Sequence, residues 1–154
     1  LHSTSRRQRQ MCIRDSYERA VKRCKMAMLT EMVTGGKISE SAYLCLKLAW
    51  IYRGEIQEAK ANGAAQERIS MYEKYEKEYL EDAYRGFKQA RETEYPPIAG
   101  MDENTITYLL TSIGIHCGKI DEARRYGSAL LISRTASMKL KNKTRDVLET
   151  IKKN

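Results

Sequence analysis

The sequence predicts an all-α protein of about six helices, on three observations. Apolar residues recur at intervals of three and four through most of its 154 residues. Gly35-Gly36, Gly63, Gly118 and the Pro96-Pro97 pair stand between those stretches, where chain direction changes most cheaply. Ser39, Asp102 and the Asp121-Glu122 pair stand where stretches begin, with the oxygen chemistry that helix N-termini take. With 42% hydrophobic residues there is enough apolar surface to offset the entropy of ordering. No apolar run approaches the ~18 residues that span a bilayer, so no membrane partner is expected.

From Tyr17 to Met32 the residues Tyr17, Ala20, Val21, Cys24, Ala27, Met28 and Met32 form one helical face, and Gly35-Gly36 ends it. Ser39 is the expected N-cap of a second helix beginning near Glu40. Between Ala42 and Tyr52 only Lys47 is not apolar or aromatic, which predicts the most buried helix, with Trp50 in the core. Beyond Gly54 lies a charged stretch to Gly63. One long helix then fits residues 64–93, which hold no proline, and Pro96-Pro97 forbids its continuation. Asp102 is the expected N-cap of a helix running through Ile106, Leu110 and Ile113 to a stop at Gly118. A further helix begins at Asp121-Glu122 and forms a hairpin with it. Leu140, Thr144, Val147, Leu148 and Ile151 make a terminal helix with a basic face.

Charge is concentrated at the two ends. The chain is +8, yet Tyr17 to Ser133 carries 17 Lys/Arg and 17 Asp/Glu. Residues 134–154 contribute +5, and 1–16 contribute +3. The first sixteen residues have no helical or strand period, and the string RRQRQMCIRDS resembles peptides translated from sequencing-adapter DNA. Residues 1–16 are therefore set aside as a non-native or disordered segment, and 17–154 as the helical domain. The neutral body and the lack of any aromatic beyond Tyr126 argue against nucleic acid as a partner, leaving weak, non-specific attraction of nucleic acid or an acidic partner to the basic C-terminal helix as the alternative.

Reactive chemistry is not encoded. Phosphate-loop, nucleophile-elbow and zincin motifs are missing, and the four cysteines show no metal-ligand spacing. His116 and Cys117 are neighbours on a helix and point about 100° apart. Asp102/Glu103 and Asp121/Glu122 are explained by helix starts. The expectation is no catalysis, no cofactor and no metal. Unpatterned cysteines point to a reducing compartment, hence the cytoplasm.

The stretch YLLTSIGIHCGKIDEARRYGSALL, Tyr108 to Leu131, resembles a tetratricopeptide repeat, whose helices meet at a Gly-x-apolar-Asp-Glu-Ala turn, here Gly118 to Ala123. Thr111 departs from it, standing where the repeat prefers a small Gly or Ala at the close helix contact. Over Tyr17 to about Lys153, the segments LCLKLAWIYR, PIAGMDENTITYLL and GKIDEARRY resemble the bacterial domain of unknown function 2225. The resemblance implies tetratricopeptide-like antiparallel hairpins in a short right-handed solenoid, in a cytoplasmic protein. It also implies a cysteine-rich, zinc-binding segment ahead of this region in full-length members, so that this chain is the C-terminal part of a larger protein. Repeat geometry would turn Tyr43, Arg53, Tyr108, Ser112 and His116 toward a concave face that binds a protein or peptide, with self-association left open. For Tyr43 and Tyr108, packing in the core is an equally good reading.

Overall fold

The computed structural model describes the backbone of residues 2–31 and 38–152, without the side chains of 2–7, 10, 11, 24, 25 and 27–31. Among these residues it has six helices and no strand. They are α1 (His2–Glu31), α2 (Ile38–Ala61), α3 (Gln66–Thr93), α4 (Glu103–His116), α5 (Ile120–Leu131) and α6 (Met138–Lys152). The expected Gly35-Gly36 stop lies outside the described residues. The chain falls into two compact units, Leu1–Ala83 and Tyr84–Asn154, and α3 runs through the boundary.

In the first unit α1 packs against α2, which buries Ala42, Cys45, Leu46, Leu48, Ala49 and Tyr52. Three sequence expectations change here. Ser39 is the second residue of α2, buried, rather than the cap ahead of it. The charged stretch beyond Gly54, for which the sequence predicts no element, is helical: α2 continues through it to Ala61. One helical glycine costs about 1 kcal/mol, and the next two turns offset it by burying Ile56 and Ala59 with Ile69 and Tyr72 of α3. Trp50 is not in the core, since 48% of it is exposed. Ten apolar residues in eleven must wrap all round a helix, and the buried side is taken by Cys45, Ala49, Tyr52 and Ile56. Residues 2–16, expected without helical order, form the first half of α1, where Arg14 pairs with Glu55 at 2.5 Å.

In the second unit the rest of α3 joins α4, α5 and α6 around Phe87, Ile98, Ile106, Leu110 and Leu130, all buried. Asp102 caps α4 as expected, its carboxylate accepting from the Thr105 N–H at 2.9 Å. Gly118, at φ +76°, closes the helix with a Lys119 N–H to Gly114 carbonyl bond of 2.8 Å. The α4–α5 hairpin is close because small residues meet in it. A Cβ at Gly114 would lie 3.3 Å from Ala123 Cβ and 3.2 Å from Tyr84 Cε2. Thr111 is buried, its hydroxyl donating to the Thr107 carbonyl at 2.9 Å. Ahead of α4, Ile98 and Met101 exchange both backbone hydrogen bonds across Ala99 and Gly100, at φ +49° and +77°. That is a two-residue hairpin turn.

Candidate functional site

The five residues expected to line a groove are divided between the units. Tyr43 and Arg53 lie on α2, and Tyr108, Ser112 and His116 on α4. Arg53 is committed to holding helices together: its Nε and Nη2 donate to Glu76 Oε1 of α3, both at 3.3 Å. Tyr43 is half-buried beneath the Lys47 ammonium, 4.6 Å from its ring centre, and the same ammonium is 5.6 Å from the ring of Tyr17. Tyr108, Ser112 and His116 are spaced by four along α4, the first two half-buried and the last exposed.

The structure adds a site that sequence reasoning misses. Residues Tyr43, Lys47, Trp50 and Gly54 fall within about 60° of one another on α2, on the side away from its buried face. Trp50 and Gly54 open onto a cleft of about 680 Å³, lined also by Ile13, Ile51, Glu55, Gln57 and Glu58. Glu55 is neutralised by Arg14, whereas Glu58 has no ion pair among the described residues. A Cβ at Gly54 would meet nothing within 4 Å, so the helix backbone itself is open at that point. The overlooked signal is the spacing of three and four from Lys47 through Trp50 to Gly54: a face containing Lys47 and Gly54 is not a core face, and Trp50 shares it.

Behind this surface a tyrosine cluster fixes α2. The Tyr52 ring lies 5.9 Å from Tyr72, 5.4 Å from Tyr75 and 5.9 Å from Tyr79, stacked on the last. Its hydroxyl donates to Glu18 at 2.5 Å, and the Arg14 guanidinium sits 5.6 Å from its centre. Burial, then the bond to Glu18, raises the Tyr52 phenol above the ordinary tyrosine range, and burial pushes Tyr79 up to about 12.

The second unit holds two polar arrangements. The Tyr84 hydroxyl and, at 2.9 Å, the Lys88 ammonium both donate to Glu122, and they hold its carboxyl below the usual range, Tyr84 first. Burial and the bond to Glu122 raise Tyr84 in return. At the starts of α4 and α6 a recess of about 290 Å³ is lined by Asp102, Asn104, Thr105, Thr135, Ser137, Lys139, Leu140 and Lys143. Its oxygens mostly serve one another: Asn104 donates to Thr135 at 2.9 Å, and the Ser137 hydroxyl accepts from the Leu140 N–H at 3.1 Å.

Among the described residues no three His, Cys, Asp or Glu side chains are grouped to hold a metal ion, and no helix is long and apolar enough to cross a membrane. No curated protein and no solved structure matches the chain. A family model described as an uncharacterized protein conserved in bacteria, DUF2225, matches residues 2–151. Matched by that model over nearly its whole length, this all-α chain belongs to the bacterial DUF2225 family.

Proposed function

We propose that the chain is a helical interaction module, without catalytic activity of its own, whose working surface is the outer side of α2 at Trp50. One observation carries this reading: a half-exposed indole lines an open cleft on the very helix whose other side supplies the core. Tryptophan is among the residues that dominate interfaces, and covering the exposed half of one contributes about 2–3 kcal/mol. Arg53, expected to bind, serves α2 and α3 instead, and Tyr43 extends the Trp50 face by two turns. The reading keeps tetratricopeptide-like hairpins stacked as a short right-handed solenoid, supported by the small-residue contact of α4 with α5. It also keeps a cytoplasmic location, with which the thiols Cys12, Cys45 and Cys117, none in a disulfide, are consistent. Capture from a bacterial lysate by the wild-type chain, Trp50→Ala, Gly54→Gln and Tyr108→Ala tests it. Proteins retained by the wild type and Tyr108→Ala should be lost from the two α2 variants; identical capture by all four overturns the reading.

A second reading, weak binding of nucleic acid or an acidic partner by α6, draws on Lys139 and Lys143. Both are exposed on the rim of the second recess, with no ion pair among the described residues. RNA retention that falls steeply with salt and disappears in a Lys139→Ala/Lys143→Ala double variant supports it; retention unchanged by the double variant removes it.

A further inference from the structure

Resting on the interaction reading, we infer that the Trp50 cleft takes a cationic amphipathic segment of a partner protein, with an apolar side chain against the indole and an Arg or Lys at Glu58. The lining is apolar at Ile13, Trp50 and Ile51 and acidic or amide at Glu55, Gln57 and Glu58, with no base among them. Arg14 already answers Glu55 at 2.5 Å, so Glu58 is the carboxylate left for an incoming charge. A segment that covers the cleft strips water from that carboxylate, which is unfavourable unless a cation replaces it. An acidic segment meets repulsion as well.

Arginine suits Glu58 best, because its planar guanidinium can donate two parallel hydrogen bonds to one carboxylate. Of the two walls, the α2 side is the acidic one: residues 38–83 carry six Lys/Arg and nine Asp/Glu, a net charge of −3, whereas α1, which contributes Ile13, is basic. Gly54 supplies the room: it has no side chain, and a Cβ there would have nothing within 4 Å, so a partner's side chain can reach the α2 backbone one turn beyond Trp50.

Trp50 is the chain's only tryptophan, so its fluorescence reports on this cleft alone. The probes are two 15-residue peptides without tryptophan or tyrosine, one of Leu and Arg at helical spacing and one with every Arg replaced by Glu. The Leu/Arg peptide should shift Trp50 emission to the blue, saturably. Glu58→Gln should weaken that binding about fivefold, and added salt should weaken it further. Gly54→Gln should abolish it while keeping a cooperative unfolding transition, since glutamine is a better helix former than glycine. A Leu/Glu peptide binding as tightly would overturn the cationic occupant and leave the α2 surface standing. No saturable shift with the Leu/Arg peptide, or one that survives Gly54→Gln, also overturns it. The lysate comparison judges the interaction reading separately.

Discussion

The two units solve the packing of helices with different residues. The second closes its core with Phe87, Ile106, Leu110 and Leu130 and brings α4 onto α5 through Gly114 and Ala123. The first relies on Tyr52 with Tyr72, Tyr75 and Tyr79, rings that bury their edges and keep hydroxyls near charged groups. Both units still expose large apolar side chains, Ile132 and Met138 in the second and Trp50 in the first, but Trp50 lies on the helix that also supplies Tyr52 to the tyrosine cluster. The lesson is that ten tyrosines to one phenylalanine marks one region of this chain more than the other.

The contrast can be broken most severely at its two largest apolar side chains. Phe87→Ala should cost about 3–5 kcal/mol in urea unfolding followed by circular dichroism, because Phe87 is 0% exposed. Trp50→Ala should cost about 1 kcal/mol or less; equal losses would mean that Trp50 is structural after all. Glycine substitutions come next and should have opposite signs. Gly114→Val forces branches against Tyr84 and Ala123 and should destabilise by about 1–3 kcal/mol. Gly54→Ala meets nothing and should stabilise by about 0.5–1 kcal/mol in the same assay.

The smallest effect is in pH. Glu122, held below the usual carboxylate range by Tyr84 and Lys88, contributes stability that is present above about pH 4.3 and fades as pH falls through its lowered value. The gap in urea midpoint between the wild type and Glu122→Gln should therefore be widest near neutrality and close in acid. A gap constant down to pH 3 would show that the carboxylate's charge is not what Tyr84 and Lys88 recognise. In the first unit the raised Tyr52 and Tyr79 act at the other end of the scale, their contribution complete below about pH 10 and lost at higher pH.

Legibility in the sequence follows the same division. Asp102, Gly118 and the start of α5 are legible because capping is local chemistry, decided by residues within one turn. The end of α2 is not, because the reason to pass through Gly54 lies in α3, in the burial of Ile56 and Ala59 by residues ten or more positions away. Trp50 misleads because hydrophobicity alone cannot say which part of an all-round apolar helix finds a neighbour. Glu122 is legible as a favourable charge at a helix start, but its bonds to Tyr84 and Lys88 span more than thirty residues and leave no local trace. Of the expected site, Tyr43 shares the exposed side with Trp50, while Arg53 is drawn off to Glu76, a partner that periodicity does not reveal.

The narrow gap at Gly114 has a consequence for how related chains can differ. Positions 84, 114 and 123 share one allotment of space, so a relative that enlarges one of them must shrink another. Correlated replacement at these three sites, against independent drift around position 54, is the pattern that such a seam imposes on a family over time.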